Sequence, residues 1–392
     1  MGEEEGEGGL FGAGEPAAAA PRPTGILPAQ EIRAMIRARE ILAAAEIGED
    51  QIQPASLDLR LGRVAFRVRA SFLPGPGATV RDRLDAFGMH EIDLAAGAVL
   101  EKGCVYIVPL MESLALKARV SALANPKSSI GRLDVFTRLI ADHSAVFDQV
   151  FAGYKGPLFA EISPRTFSIV VRQGSRLNQL RLQRGNPPAT DTQLRRLHKA
   201  TPLVAGGDGG EADIDQGIAV TVDLAANGGQ GSPVGWRARR HTDLIDLALI
   251  DHYRPEDFWE PVGADAAASL VLNPGDFYIL ASKEAVAVPP DHAAEMRPYD
   301  TRVGEFRVHY AGFFDPGFGH ADSGGAGSRA VLEIRSFEVP FALRDGQLVG
   351  RLVYERLAGI PDKLYGAAIG SSYQRQGLML AKQFKRRRRE GP

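Results

Sequence analysis

The feature that most constrains the fold of this chain is an internal repeat. Residues 99–108 (VLEKGCVYIV) resemble residues 271–280 (VLNPGDFYIL), and residues 158–182 resemble residues 330–354 at the same offset of 172 positions. Two unrelated segments would not keep one offset across two separate blocks. The repeat therefore predicts a duplicated domain of about 160–180 residues.

Each copy carries the pattern of short strands. Runs such as VYIV, FSIVV, FYIL and RLVY are β-branched and aromatic, and glycine-containing turn pairs separate them. We therefore predict a mainly β chain, two tandem copies of a distorted barrel or jelly-roll with a few short helices. Helical pattern is confined to the start, where AQEIRAMIRAREILAAA follows Pro28, apart from a short helix around 193–200.

Composition sets the boundaries of the predicted units. Residues 1–24 are mostly Gly, Glu, Ala and Pro, with too little apolar bulk to offset chain entropy, so we expect a disordered tail. The polar, Gly/Pro-rich stretch 184–216 is predicted as a linker between a first domain, 25–183, and a second, 217–380. A basic tail, 381–392, ends the chain, beginning within a helical-looking stretch, GLMLAKQFK.

Charge and cysteine content exclude several classes of protein. Lys+Arg 46 against Asp+Glu 48 gives a net charge of −2, which argues against a nucleic-acid binder. The single cysteine, Cys104, excludes a disulfide framework and a cysteine-cluster metal site within one chain. No apolar run approaches the ~20 residues of a membrane span, and the acidic start is unlike a signal peptide. We expect a cytoplasmic protein with no membrane partner.

Three segments carry a resemblance to a known family. They are QPASLDLRLG at 53–62, PKSSIGRL at 126–133 and DPGFG at 315–319. In this order and spacing they resemble the motifs of the dCTP deaminases, the deaminating branch of the trimeric dUTPase fold. The resemblance implies two dUTPase-like domains in a tandem, double-length form that occurs in bacteria.

The C-terminal half extends this resemblance. LEIRS surrounds Glu333, GQLVG contains Gln347, and SSYQRQG at 371–377 is similar to the family's C-terminal lid. Ser372 stands where the lid usually carries lysine.

The PKSSIGRL segment offers groups that bind phosphate. Lys127 supplies a cation, and Ser128 and Ser129 supply hydroxyls. Arg132 adds a planar fork for phosphate or a polar anchor beside the reacting base. A capped helix or turn would explain the pattern about as well. The resemblance implies that Ser128 and Arg132 lie at the catalytic site.

Two glutamates occupy equivalent places in the repeat. Glu161 and Glu333 each stand in an apolar strand pattern. A strand glutamate that faces solvent is the plain alternative, but its presence in both copies favours a role. Desolvation there would raise the pKa of the carboxyl and suit it to move a proton near neutral pH. In the resembling family this position holds the catalytic glutamate.

Two aspartates precede turns, Asp148 in FDQVFAG and Asp315 in FDPGFG. An aspartate that merely forms the turn is the structural alternative. The resemblance implies instead an aspartate that accepts the 3′-hydroxyl of deoxyribose and disfavours ribose. Further positions implied in substrate binding are Arg302, Ala311, Gln347, Tyr365, Tyr373, Gln374 and Gln376.

No pattern in the sequence predicts a zinc site. The eight histidines are scattered, and the H-x-E and P-C-x-x-C signature of zinc deaminases is missing. The resemblance implies a metal-free reaction in which a glutamate acts as general acid and base, with Mg²⁺ arriving on the nucleotide triphosphate.

Three functions follow from these residues. The leading one is deamination of dCTP to dUTP and ammonia. The second is a dUTP pyrophosphatase, or a bifunctional enzyme that yields dUMP. The third is a nucleotide-binding regulatory protein that has lost catalysis, because the second copy carries RPYDTR at 297–302 in place of the serine motif. Expected partners are dCTP, dUTP, dTTP as an inhibitor, and further copies of the chain.

We also predict that the site is composite. The first copy keeps the phosphate-side set that begins at Lys127, and the second keeps the nucleoside-side set around Asp315 and Glu333. In the resembling family sites lie between subunits, so the two sets are expected to meet between domains or between chains.

Overall fold

The computed structural model describes residues 23–205, 212–225, 233–298, 306–309, 312–336, 338–366 and 377–386, with the backbone alone at 205, 298 and 306–309. The predictions for residues 1–22 and 387–392 lie outside this described part. Within it, no helix is long and apolar enough to cross a membrane.

Short strands dominate both halves, so the mainly β prediction is confirmed. The strands of the first half are β1 (Gly25–Ile26), β2 (Ile41–Ala43), β3 (Leu57–Arg60), β4 (Val64–Val68), β5 (Gly88–Asp93), β6 (Ala98–Leu100), β7 (Val105–Ala115), β8 (Val120–Pro126), β9 (Val135–Ala141), β10 (Gln149–Val150), β11 (Lys155–Pro164), β12 (Ile169–Val171) and β13 (Arg176–Arg184). Those of the second half are β14 (Val204–Ala205), β15 (Ile218–Thr221), β16 (Gly235–Ala238), β17 (Ile245–Asp246), β18 (Trp259–Val262), β19 (Ser269–Leu272), β20 (Phe277–Val286), β21 (His292–Pro298), β22 (Phe306–His309), β23 (Phe313–Phe314), β24 (Ser328–Ser336), β25 (Phe341–Arg344) and β26 (Leu348–Arg356). The helices are α1 (Ala29–Arg37), α2 (Val80–Phe87), α3 (Ser128–Gly131), α4 (Asp191–Ala200) and α5 (Pro255–Phe258), and a 3-10 turn spans Ala321–Ser323.

The two halves share one strand order. One sheet runs β1-β13-β8-β10 in the first half, with β3 also on β13, and β15-β26-β21-β23 in the second. The other runs β5-β4-β7-β11-β9, with β2 on β7, and β18-β16-β20-β24-β22, with β14 on β20. A small sheet pairs β6 with β12 and, in the second half, β19 with β25. Apart from β1, which adds to β13, and β17 of the second half, which pairs with β12 of the first, the strand pairs of one half recur in the other.

Strand register follows the offset of the sequence repeat. Ile107 on β7 pairs with Glu161 on β11, and Ile279 on β20 pairs with Glu333 on β24. The turns before β13 and β26 each contain a glycine with positive φ, Gly174 at 84° and Gly346 at 71°, a conformation that costs glycine little. The two glutamates thus occupy one position of one shared topology.

A buried aromatic cluster joins the halves to the C-terminal segment. Trp259 lies edge-on to Phe167 of the first half, with ring centroids 5.5 Å apart, and edge-on to Phe384, 6.0 Å away. All three rings are buried, and burying each stabilises the fold by roughly 1.5–3 kcal/mol. The segment 377–386 is therefore held on the boundary between the halves.

In the first half, the helices differ from the prediction at α1 and at α2. The first ends at Arg37, because Arg39 takes a left-handed backbone (φ 59°) and the chain then enters β2. The second, α2, was not predicted. The side chain of Thr79 accepts a hydrogen bond from the backbone N–H of Asp82, and the carboxylate of Asp82 accepts one from the backbone N–H of Thr79. The sequence signal TVRD for this capping box was present.

The described parts of the predicted linker and tail, residues 184–205, 212–216 and 381–386, are more closely packed than a linker and a tail. The helix expected around 193–200 is α4, and its Leu194 is buried together with Leu203, while β14 pairs with β20. At the other end Ala381 and Phe384 are buried, and 377–386 forms turns and not a helix. Both segments contain apolar residues that become buried, although their overall composition is polar.

Candidate active site

Residues from both halves meet around Glu333. This carboxylate is buried on β24, and its Oε1 lies 4.0 Å from Nε of Arg132, which follows the single turn of α3 in the first half. Nη1 of Arg132 also donates a hydrogen bond to the carbonyl of Met379, 3.1 Å away. The first half, the second half and the C-terminal segment thus each contribute one group.

Burial sets the protonation of this carboxyl. Desolvation raises the pKa of Glu333 to about 8, against the opposing effect of Arg132, and Asp134 adds to the rise. A carboxyl that titrates close to neutral pH can both take up and release a proton there. The pair of Glu333 and Arg132 is therefore suited to proton transfer.

A second contact between the halves holds Arg132 in place. Arg335, two residues beyond Glu333, forms an ion pair with Asp134 and donates a hydrogen bond to Oγ1 of Thr166, 2.9 Å away. Thr166 in turn donates to Asp134 at 2.6 Å. Because Asp134 is two residues from Arg132, this arrangement fixes the loop opposite Glu333. Arg335 was not among the predicted site residues, although it belongs to the LEIRS motif.

The phosphate-side residues lie at the start of α3. Lys127 forms an ion pair with the buried Asp58 of β3, within the QPASLDLRLG motif. Gln179 donates to the other carboxylate oxygen of Asp58 at 3.4 Å. Ser128 is exposed and Ser129 is buried. The first two sequence motifs are thereby brought together.

A further cation, Lys382, stands on this side. It is half-buried, and its backbone carbonyl accepts a hydrogen bond from the N–H of Asp251 at 3.0 Å. Burial and the nearby charges of Lys127 and Arg176 lower the pKa of Lys382, which Asp58 partly offsets. The sequence assigned this lysine to the tail, and no motif marked it.

The nucleoside-side carboxylate, Asp315, follows β23. It is buried, and its Oδ1 lies 3.7 Å from Nη2 of Arg181 without a closer hydrogen bond from the described residues. Burial raises the pKa of Asp315 to about 6; Asp58 also raises it, while Arg181 and Lys127 lower it. Asp58 and Lys127 are thus near enough to link the phosphate and nucleoside sides.

Two other predicted residues have structural partners. The ring of Tyr365 lies 5.5 Å from that of Phe318, and its N–H donates to the carbonyl of Pro316 at 2.8 Å, which packs it on the DPGFG turn. Oε1 of Gln347 accepts a hydrogen bond from the N–H of Arg344 at 3.1 Å and closes its own turn. Arg302, Ala311, Tyr373, Gln374 and Gln376 lie outside the described residues.

Glu161 has different surroundings from Glu333. Arg138, its cross-strand partner on β9, forms an ion pair with Oε1 of Glu161 at 2.5 Å, and the hydroxyl of Ser71 donates a hydrogen bond to Oε2 at 2.6 Å. The guanidinium of Arg138 also stacks on Phe147, 3.4 Å from the ring centre. Both oxygens of Glu161 are therefore engaged by the first half itself.

Asp148 is not the structural counterpart of Asp315, contrary to the sequence comparison. The N–H of Leu116 donates a hydrogen bond to the carbonyl of Tyr154, and in the second half the N–H of Val288 donates the equivalent bond to the carbonyl of Phe318. Tyr154 therefore corresponds to Phe318, and three residues earlier Phe151 corresponds to Asp315. Asp148 instead accepts a hydrogen bond from the N–H of Leu139 at 2.7 Å, and burial raises its pKa to about 7. The comparison of FDQVFAG with FDPGFG matched the aspartates and missed the matching glycines.

Metal-binding groups are not clustered in the described part of the chain. No set of three or more His, Cys, Asp or Glu side chains there could hold a metal ion.

Comparisons with known proteins agree across both halves. Residues 23–186 match the family model of the 2′-deoxycytidine 5′-triphosphate deaminase N-terminal domain, and residues 190–384 match that of the C-terminal domain. A dCTP deaminase, dUMP-forming, of Beutenbergia cavernae is 32% identical over 156 residues, covering 38% of this chain and 77% of that protein. One of Parafrankia sp. is 34% identical over 156 residues, covering 38% and 73%.

A solved structure is similar over most of the chain. The crystal structure of 2′-deoxycytidine 5′-triphosphate deaminase from Agrobacterium tumefaciens is 55% identical and matches with a TM-score of 0.81. The match covers 86% of this chain and 99% of that one. The similarity therefore extends through both halves.

Proposed function

This chain belongs to the dCTP deaminase family of hydrolase-type enzymes, and on that premise we propose that it deaminates dCTP at one site between its two halves. The observation that carries the proposal is the approach of Arg132, from the first half, to the buried Glu333 of the second, 4.0 Å apart. The shared strand order supports the further proposal that the chain arose by tandem duplication of one domain.

Glu333 is the general acid and base in this proposal. Its carboxylate takes a proton from water as the water oxygen bonds to C4 of cytosine. The resulting carboxylic acid gives this proton to N3. The carboxylate then takes the proton of the new C4 hydroxyl and passes it to the exocyclic nitrogen, so that the C4 carbonyl forms, the C4–N bond breaks and ammonia leaves. The rise in the pKa of Glu333 to about 8 supports both roles, and such catalysis contributes roughly 10²–10⁴-fold to a rate.

The remaining groups bind and orient the nucleotide. Ser128 and Arg132 hold the reacting base and water, and Lys127 with Ser129 binds phosphate oxygens. Asp315 accepts the 3′-hydroxyl of the deoxyribose, which its buried Oδ1 supports because no closer donor among the described residues satisfies it. Mg²⁺ enters with the triphosphate as part of the substrate.

The final product is a second question. The relatives from Beutenbergia cavernae and Parafrankia sp. are dUMP-forming, which favours a bifunctional reaction over simple release of dUTP. In that case a second water attacks the α-phosphorus of the nucleotide, the bond from this phosphorus to the bridging oxygen breaks, and pyrophosphate leaves, which yields dUMP. Incubating the protein with dCTP and Mg²⁺, and measuring ammonia and pyrophosphate separately, distinguishes the two. Equal amounts indicate dUMP formation, and ammonia alone indicates dUTP release.

The same experiment tests the proposed function itself. We expect ammonia to form from dCTP in the wild-type protein, and not in Glu333→Gln. Binding of dCTP without release of ammonia, over a range of Mg²⁺ concentrations, would contradict the proposal and support the regulatory alternative.

A further inference from the structure

Arg181 reaches from the first half into the second. It lies on β13 and is fully buried, and the described hydrogen bonds and ion pairs of its side chain all cross the boundary between the halves. Nη1 donates to Oε2 of Glu355 and to the carbonyl of Ala294, each at 3.1 Å. Nη2 donates to the carbonyl of Phe314 at 3.3 Å. A fully buried guanidinium is costly unless its donors are used. Both terminal nitrogens of Arg181 donate hydrogen bonds, while its Nε has no hydrogen-bond partner among the described residues.

These contacts surround the strand that presents Asp315. The guanidinium carbon of Arg181 lies 3.9 Å from the ring centre of Phe313, and Phe313 and Phe314 form β23, directly before Asp315. Nη2 is 3.7 Å from Oδ1 of Asp315. The Arg181 side chain therefore contacts the backbone of β23, the ring of Phe313 and the carboxylate of Asp315.

The fold does not require an arginine at this position. Arg181 pairs with Leu123 of β8, and the residue at the same register in the second half is Val353, which pairs with Glu295 of β21. The same strand is thus built with valine in the other copy. A buried charge that the topology can do without indicates a role in the site.

We propose that Arg181 is a positioning residue for substrate binding, with which the first half fixes the place and the negative charge of Asp315 in the second. The inference rests on the proposed function, because it assumes that Asp315 accepts the 3′-hydroxyl of the substrate. It also means that the sugar subsite, like the pair of Arg132 and Glu333, is completed only when both halves are docked.

The charges around Asp315 determine the effect of removing Arg181. The groups that act on Asp315 are Arg181 and Lys127, which favour its ionised form, and Asp58, which opposes it. Arg181 is shared with Glu355, whose pKa burial raises, and Glu295 faces Glu355 from β21. Without Arg181, burial and Asp58 would keep Asp315 protonated to higher pH, and a protonated carboxyl is a poorer acceptor.

Three variants test the inference. Arg181→Met combined with Glu355→Gln removes the guanidinium without leaving its main counter-charge buried. Arg181→Lys keeps the charge but loses the planar fork that reaches several acceptors at once. Arg172→Met is the matched control, since it removes another ion pair between the halves, with Asp246 at 2.6 Å, away from Asp315.

Steady-state kinetics with dCTP and CTP across pH is the measurement. For the double variant we expect KM for dCTP to rise about tenfold or more, with a smaller change in kcat. The preference for dCTP over CTP should fall, and the acidic limb of kcat/KM should move to higher pH. Arg181→Lys should keep the position of that limb close to wild type while KM still rises. Arg172→Met should match the wild type.

The outcomes separate this inference from the proposed function. If folded Arg181 variants keep the wild-type KM, sugar preference and pH limb, Arg181 only stabilises the fold and the inference is wrong, while deamination stands. If the double variant does not fold, Arg181→Lys alone decides by its KM. If the wild type binds dCTP without turnover, the proposed function fails, and the affinity of each variant for dCTP still tests the inference.

Discussion

Glu161 and Glu333 occupy one position in two copies of the same topology, yet their neighbours differ. Each pairs with an isoleucine on the adjacent strand, Ile107 or Ile279. Glu161 is bound by Arg138 and Ser71 of its own half. Glu333 faces Arg132 of the other half at 4.0 Å. A position in the fold thus provides a buried carboxylate, and the neighbouring groups decide whether it is neutralised or left to react.

Asp315 and the position equivalent to it in the first half differ in a similar way. Asp315 is buried with its Oδ1 directed at Arg181, while the equivalent position in the first half is Phe151, which is 53% exposed. The first half therefore lacks the sugar carboxylate and has an occupied glutamate. Both observations support the proposal of one working site per chain, with Glu333 as its glutamate.

The largest expected effect is on turnover. Glu333→Gln should lower kcat for dCTP by about 10²-fold or more, because the amide cannot exchange the proton, with dCTP binding largely retained. Ser128→Ala should reduce turnover comparably from the other half. Glu161→Gln, the matched control at the equivalent position, should cost much less. Ammonia release measures all three.

The opposite ranking would overturn the comparison. If Glu161→Gln abolishes ammonia release while Glu333→Gln is silent, the first half carries catalysis and the second is the relic.

The next effect concerns the contact that holds Arg132 opposite Glu333. Arg335→Met removes the hydrogen bond to Thr166 and the ion pair with Asp134, and so frees the Arg132 loop. We expect kcat to fall by about tenfold, since small displacements of catalytic groups are costly, with less change in KM.

Arg237→Met is its control, because it removes an ion pair with Glu260 on the adjacent strand, β18. If an Arg335 variant is folded and fully active, the remaining contacts between the halves are sufficient to position Arg132.

Much of this arrangement could be predicted from the sequence, because it depends on repetition and order. The offset between Glu161 and Glu333 was readable, and the structure keeps it in the strand register. The roles of Arg181, Arg335 and Lys382 were not readable. Each acts across the boundary between segments far apart in the chain, and docking of the halves, not local pattern, brings it to the site. The sequence comparison aligned Asp148 with Asp315 wrongly, because aspartate is common in turns both before and after a short strand and therefore does not fix the alignment.

A smaller effect is expected from Lys382 on the phosphate side. Lys382→Met should raise KM for dCTP several-fold with little change in kcat, because it removes one cation near Lys127 and the loss is of binding alone. Lys385→Met is the matched control, since Lys385 is exposed three residues further on. The dependence of KM on salt should also weaken in the Lys382 variant. Equal KM values for the two variants would remove Lys382 from the phosphate side.

The smallest effect is on stability, and its sign should differ between the two glutamates. Because the folded pKa of Glu333 is about 8 against an ordinary value of 4.5, the native state holds a proton that the unfolded state has lost between these values. Stability from this group is therefore complete below about pH 4.5 and declines as pH rises to about 8. Glu333→Gln removes that decline, so its Tm should exceed the wild-type Tm by a margin that grows with pH and levels off above 8.

Glu161→Gln should do the reverse and lower Tm near neutral pH, because it leaves Arg138 without its carboxylate partner, a loss of about 1–3 kcal/mol. Thermal unfolding of both variants and the wild type from pH 5 to 9 measures the two margins. A lower Tm for Glu333→Gln at pH 8 would mean that its carboxylate is as well satisfied as that of Glu161. The two carboxylates would then differ in their partners but not in the direction of their contribution to stability.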